Sequence, residues 1–480
     1  MLLGLYFIAG FILSGLLFLL KRWRSSVVIT LLFILLQIFV SISAMFRLDE
    51  VNLNYFTFDS LAVIFLLILS LIASATLYHS VRLTRNATNW NRSLYFFSFI
   101  ILNISLTGVF TANNIIVSWI FIELTTLSVA SLINYQRTEH SLEATWKYVF
   151  VCSLGIALAY IGILFASATT GAGASGDMSF DGLKNSFVNI NPVYLKMAFI
   201  LILAGYSSKL EVFPLYTIGI DANYVAPSPV SAFLSTALVN GGFVAFYRVF
   251  SAMSDTLISA WMNHVMLITG LLSLLVASIY VQRSINLKRV FAYSTVEHMG
   301  LVLIALSLGK PGIYIALLQI TFHSLIKSGI FYHMGILHRI MRSYQLDITG
   351  GYLKVNPTGA AIVLSGVILI TAIPPSPLFR SEFLLMRELI DGQLIAFILT
   401  IMFLTLILYG ILRKSMGMLL GESGQLKPSE ENIAGSEYLF QLLFFLAAVV
   451  MCFYIPDFLN SLFNSASEAG GFMFESSGSI

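Results

Sequence analysis

The chain has 480 residues, of which 58% are hydrophobic and only 10% charged, with a formal net charge of +3. A water-soluble protein carries about 25% charged residues, so a soluble globular fold is excluded. The small positive balance fits membrane topology and anionic lipid, and it makes no case for nucleic acid.

Apolar runs recur from end to end, each long enough to cross a hydrocarbon core of about 30 Å. In chain order they predict spans at 1–20, 26–46, 57–78, 93–111, 114–134, 146–168, 194–214, 225–250, 258–281, 291–308, 312–338, 358–390 (broken), 393–417 and 437–455, fourteen in all. The first run lacks the basic n-region and small-residue cleavage site of a signal peptide and is read as a span. The longest polar stretches are a Gly/Ser/Asn-rich loop at 169–192, a loop at 421–436 and a short acidic tail with Glu468 and Glu475. Cys152 and Cys452 fall in separate spans, too few for a four-cysteine cluster. With no phosphate-binding loop or zinc spacing either, neither cofactor, metal nor ATP-driven chemistry is expected of this chain.

The basic residues set the orientation. With the N-terminus outside, the inner loops hold Lys21, Arg22, Arg24, Arg82, Arg85, Arg92, Arg137, Lys147, Arg283, Lys288, Arg289, Arg339, Arg342, Lys354, Arg413, Lys414 and Lys427, which is 17 of the 26 Lys and Arg. The positive-inside rule then places both termini on the outer, periplasmic side of a cell (inner) membrane, with an even number of spans.

Several ionisable residues fall within these runs: Glu123 in SWIFIELTTLSVASLI, Lys209 in AFILILAGYSSKLEVFPLY, and His323 with Lys327 in ALLQITFHSLIKSGIFY. A charge at the bilayer centre costs roughly 2.5–3.5 kcal/mol on insertion scales, so such residues usually face a polar interior and bind or move something. His323 and Lys327 are four apart and share one helix face with Gln319. Two spans are broken beside charges. Pro214 follows Lys209, and Pro374, Pro375 and Pro377 precede Arg380 and Glu382, each proline removing a helical hydrogen bond. Lys209 lies on the seventh span and Glu382 on the twelfth. Glu123 on the fifth and the Glu297–His298 pair on the tenth repeat that offset of five. An odd offset inverts the copy, as in transporters built from two inverted halves. The expected architecture is an all-α polytopic membrane protein: helices 1–3 over 1–92, a first five-helix repeat over 93–250, an inverted second over 251–420, and a last helix with a short tail over 421–480.

The stretch KLEVFPLYTIGIDANYVAPSPVSAFLS resembles the signature of the antiporter-like subunits of respiratory complex I, shared with Mrp-type antiporters and membrane-bound group 4 hydrogenases. LKRVFAYSTVEHMGLV, FHSLIKSGIFYHMG and PPSPLFRSEFLLM continue the likeness in order over nearly the whole chain. APSPVSA and STVEHMG look most like the hydrogenase 4 component F and formate hydrogenlyase branch, and the chain ends after its last span without a long lateral helix. The resemblance implies a proton path. Glu123 matches the glutamate that pairs with the broken-helix lysine, here Lys209. His323 and Lys327 match the central relay, Glu297 and His298 would lie on the axis between the halves, and Glu382 matches the exit position. Other membrane subunits and a peripheral redox module, NiFe hydrogenase-like or a relative, are the implied partners.

Departures from the family pattern are equally specific. Histidines common in PLHTWLPDAH are Tyr216 and Asn223 here, a frequent lysine or histidine on the eighth span is Asn240, and GLPPFGLF is AIPPSPLF. They remove titratable groups near the inner half-channel. Plainer roles are open beside the relay. Glu123 and Lys209 would form a structural ion pair, Asp221 would pin the broken-helix loop, and Arg380 would pair with Glu382 or a carbonyl. Glu297 and His298 would sit near the inner helix end, and His333 and His338 would be interfacial. Three other functions compete with proton pumping: Na+ or K+/proton antiport, a non-pumping membrane anchor, and bis-histidine haem binding through His298 and His323.

Overall fold

Where the sequence predicts a span, the computed structural model has a helix. It describes residues 2–20, 22–169, 177–187, 190–422, 426, 428–429 and 431–469. Lys21, Lys427, Glu475 and the centre of the Gly/Ser/Asn-rich loop lie outside the described residues. Among the described residues, thirteen helices are long and apolar enough to cross a membrane. The twelfth span, expected to be broken, is two shorter helices.

The helices are α1 (Leu2–Leu19), α2 (Trp23–Met45), α3 (Ser60–Leu83), α4 (Asn89–Thr111), α5 (Ile115–Ile133), α6 (Glu139–Thr169), α7 (Phe180–Phe187), α8 (Pro192–Leu210), α9 (Thr217–Val225), α10 (Ser228–Phe233), α11 (Val239–Met253), α12 (Ser259–Arg283), α13 (Leu287–Leu306), α14 (Lys310–Met341), α15 (Tyr352–Val355), α16 (Pro357–Ile370), α17 (Pro377–Gly392), α18 (Leu394–Leu420), α19 (Leu439–Phe453) and α20 (Asp457–Ala469). A π-helical turn at Leu234–Leu238 joins α10 to α11, so Ser228–Met253 runs as one span. Between α2 and α3, β1 (Val51–Asn52) pairs antiparallel with β2 (Phe56–Thr57), with Val51 opposite Thr57.

Local sequence explains where the helices start. Asn114, Asn286, Asn356 and Ser376 cap α5, α13, α16 and α17 by accepting from backbone N–H groups of the first turn, which satisfies donors the helix leaves orphaned. Prolines occupy the first turn of α8, α14, α16 and α17, where no N–H is needed. The two breaks fall where the prolines predict: α8 ends at Leu210 before Pro214, and α16 ends at Ile370 before Pro374.

The span Ser228–Met253 is wholly buried, and α4, α13 and α14 are nearly so. The outer ring of α1, α2, α6, α12, α18 and α19 turns Phe11, Phe39, Phe150, Ile398 and Leu446 outward, as lipid contact requires. Helices α6 and α8 touch through glycine: a Cβ on Gly205 would meet the Gly155 carbonyl oxygen at 2.5 Å. At one end of the bundle Arg248 grips Asp59 through two hydrogen bonds of 2.7 and 3.0 Å and donates to the Phe110 carbonyl at 2.8 Å, tying α11 to α3 and α4. The chain does not stop after its last span: α20 packs against α3 and α14. Its apolar residues Leu462, Phe463 and Ala466 are buried there.

Candidate functional site

In the last turn of α8, Lys209 is 1% exposed. Its partner is a residue the sequence reading missed. Nζ donates to Tyr148 Oη at 3.1 Å and lies 5.1 Å from the centre of that ring. The expected ion pair with Glu123 is not present: among the described residues no N–O approach within 4.0 Å joins them. Glu123 instead accepts from Ser153 Oγ at 3.0 Å, and its second oxygen is buried without a partner. Glu123 is still an electrostatic neighbour of Lys209. Tyr148 and Ser153 lie on the outer-ring helix α6, too far along the chain for spacing to reveal them.

The break after α8 holds a second missed residue. Glu211 is 3% exposed, and its carboxylate accepts from Asn223 Nδ2 at 3.0 Å. It lies inside the quoted run KLEVFPLY, so its charge was the available signal. Asp221 pairs with Arg289 at 3.1 Å, joining α9 to α13. Lys288, expected in a loop, is 1% exposed and donates to the Tyr224 carbonyl at 3.2 Å. Asn240 on α11 accepts from Ser324 at 3.0 Å.

The centre of the molecule is built by α13, α14 and α17. On α14, Gln319, His323 and Lys327 share one face, and all three are buried. Lys327 donates to Ser294 of α13. One turn further along α13, Glu297 has Lys327 and Glu382 as its electrostatic neighbours. Gln319 Nε2 and His298 Nδ1 are 3.0 Å apart, and the His298 and His323 rings are centred 5.1 Å apart. Ser381 of α17 donates to Gln319, extending the run across the second break. Glu297 and His298 are therefore core groups and not inner-end ones. Glu297 Oε2 and both His323 ring nitrogens are buried without protein partners, and the Ile370 backbone lies beside His298. Buried polar atoms are nearly always hydrogen-bonded, and titratable groups on this axis are among the buried ones that the protein itself leaves unpaired.

Of two cavities beside these helices, the smaller meets the axis at Glu297 and Glu382. One of about 260 Å³ is lined by Glu297, Glu382, Thr371, Phe383 and Thr405. The other, about 1390 Å³, is lined by Lys288, Arg289, Asp221, Tyr224, Ala226 and His338 among others. Arg380 makes no ion pair with Glu382 among the described residues, and it lies near Tyr314 and Cys452. His338 is exposed at the larger cavity, whereas His333, expected at the interface, is buried with Nε2 3.1 Å from Tyr352 Oη. Among the described residues, no group of three or more His, Cys, Asp or Glu is disposed to hold a metal ion.

Residues 112–408 match the NADH:quinone oxidoreductase/Mrp antiporter transmembrane family. A hydrogenase-4 component F homolog from Methylacidiphilum infernorum (isolate V4) is 30% identical over 383 residues, covering 77% of this chain and 79% of that one. A chain of the membrane-bound sulfane sulfur reductase, an archaeal respiratory membrane complex, superposes with a TM-score of 0.84 at 21% identity over 97% of both chains. A chain of the Mrp complex from Dietzia sp. DQ12-45-1b gives 0.85 at 16% identity, covering 98% of this chain and 96% of that one. Both solved relatives sit in complexes of several subunits. This multi-pass membrane chain belongs to the NADH:quinone oxidoreductase/Mrp antiporter family, as one of its antiporter-like membrane subunits.

Proposed function

We propose that the chain carries protons across a cell membrane along Glu123, Lys209, Lys327, His323, His298, Glu297 and Glu382, driven by a redox reaction in partner subunits. The observation that carries this reading is the buried run from Lys327 to Ser381, with its unpartnered acceptors and ring nitrogens. Histidine titrates near neutral pH, which suits an intermediate carrier beside a lysine. A buried lysine is pushed toward neutrality by desolvation and back toward charge by a carboxylate, so movement of Glu123 toward or away from Lys209 switches whether that lysine holds its proton. Spans 4–8 and 9–13 are two inverted repeats in this reading, each with its break beside a charge. The orientation has both termini outside, and the peripheral partner is a NiFe hydrogenase-like module or a relative.

Likeness to the Mrp complex supports a second reading, in which Na+ or K+ moves against the proton. Proton uptake into vesicles holding the intact complex, followed during redox turnover with and without sodium, separates the two. Uptake independent of sodium and abolished in assembled Lys209→Ala supports the proton path. A strict sodium requirement supports antiport, and unchanged uptake in Lys209→Ala leaves the chain as an anchor.

A further inference from the structure

Glu211 occupies a position where the backbone favours another residue. It caps the C-terminus of α8 with φ 54° and ψ 39°, the left-handed region in which glycine is the default and a Cβ is unfavourable. A charged side chain there, buried from solvent, calls for a reason. Its surroundings are shaped for a carboxylate. Gly219 of α9 leaves the space it fills, since a Cβ there would meet Glu211 Cδ at 2.3 Å. Glu211 Oε1 takes the Asn223 amide, yet Glu211 Oε2 and Asn223 Oδ1 are both buried acceptors with no donor. Two buried acceptor oxygens on side chains that already touch have no donor, and a proton on the carboxyl would add one.

The position is equally specific. Lys209 lies two residues before Glu211, and Lys327 is its electrostatic neighbour across the axis. On the other side, Tyr224, Val225 and Ala226, which follow Asn223 directly, line the cavity of about 1390 Å³. The loop otherwise carries Tyr216 and Asn223 where histidines are common in the family it resembles.

We propose that Glu211 is a proton-binding residue that is loaded from the large cavity past Asn223 and passes its proton to Lys327. This rests on the proton-path reading above. In the transfer step the Glu211 carboxyl O–H bond breaks and an N–H bond forms on the neutral Lys327 amine, directly or through water, leaving a carboxylate and an ammonium. The next proton from the cavity resets the carboxyl.

The test uses the intact complex in vesicles, comparing wild type, Glu211→Gln and Glu211→Asp. Proton uptake per redox turnover is measured over a range of pH, with infrared difference spectra of the carboxylic-acid C=O region. The expected result is a loss of at least about tenfold in Glu211→Gln, disappearance of one turnover-linked carboxyl band, and partial recovery with a displaced pH profile in Glu211→Asp. Wild-type uptake matched by Glu211→Gln overturns the proposal alone, as does an unchanged set of carboxyl bands. A wild-type complex that takes up no protons overturns the proton-path reading and this proposal with it. If Glu211→Gln fails to assemble, an unshifted pH profile and full rate in Glu211→Asp contradict the proposal, and a shifted profile supports it.

Discussion

Lys209 donates to Tyr148 at 3.1 Å and makes no ion pair with Glu123. The phenol holds the ammonium from one face while the carboxylate stands off, hydrogen-bonded to Ser153. An ion pair locked at contact distance would bind the lysine proton tightly. In the proposed proton path, a neutral partner leaves that proton responsive to a carboxylate that moves closer.

Tyr148→Phe keeps the ring beneath the ammonium and removes only its acceptor. A hydrogen bond to a charged group contributes about 1.5 kcal/mol, roughly tenfold in an equilibrium. Proton uptake per turnover is expected to fall by about that factor while the complex assembles normally. Uptake equal to wild type would show that the phenol does not set the behaviour of Lys209.

The grip of Arg248 on Asp59 predicts a stability effect separate from transport. Asp59 caps α3 through the Ala62 N–H at 2.8 Å and accepts two bonds from a guanidinium that is 9% exposed. Asp59→Asn leaves that charge without its counter-ion, at a cost of about 3 kcal/mol. Arg248→Lys does not preserve the forked geometry. Both variants are expected to lower the thermal midpoint of the detergent-solubilised chain, and an unchanged midpoint for both would contradict this.

Gly205 sets how closely α6 approaches α8, and with it the distance from Tyr148 to Lys209. Any side chain at Gly205 meets the Gly155 carbonyl. Gly205→Ala is expected to cost about 1–3 kcal/mol by overpacking and to reduce proton uptake along with thermal stability. Wild-type values in both assays would show that the helices separate without cost.

A charge network closes the segment before α19. Glu437 accepts from both Arg82 and Arg339, and Glu431 accepts from Arg339 at 2.6 Å and from Arg82 at 3.2 Å. The Arg339 hydrogen bond holds the Glu431 carboxyl below its ordinary value of 4.5. A depressed folded-state value means that Glu431 contributes its stabilisation fully above the unfolded value. That contribution disappears as pH falls through the lower folded value. Protection of residues 431–438, taken relative to the intrinsic exchange rate at each pH, is therefore expected to fall below about pH 4.5, and Glu431→Gln is expected to remove that step. A step that persists in Glu431→Gln would assign it to another group.

The spans were legible because each lipid-crossing helix must be an unbroken apolar run, and both breaks were legible because proline cannot supply the missing N–H. The central groups Lys327, His323, His298 and Glu297 were legible for the opposite reason, as ionisable residues within apolar runs. Tyr148, Ser153, Ser294 and Ser381 were not, because tyrosine and serine are common in membrane helices and only tertiary packing shows which of them touch a lysine, glutamate or glutamine. Glu211 was visible in KLEVFPLY but was passed over beside Lys209. Helix α20 was hidden because its apolar residues occupy one face of a mostly polar segment, too short and too mixed to read as a span.

The central claim is that Lys327 carries the proton between the halves, and Lys327→Ala in the intact complex tests it most directly. Protons taken up per redox turnover should fall to the background of vesicles without the complex, while assembly is retained. Uptake per turnover equal to that of wild type would contradict the account.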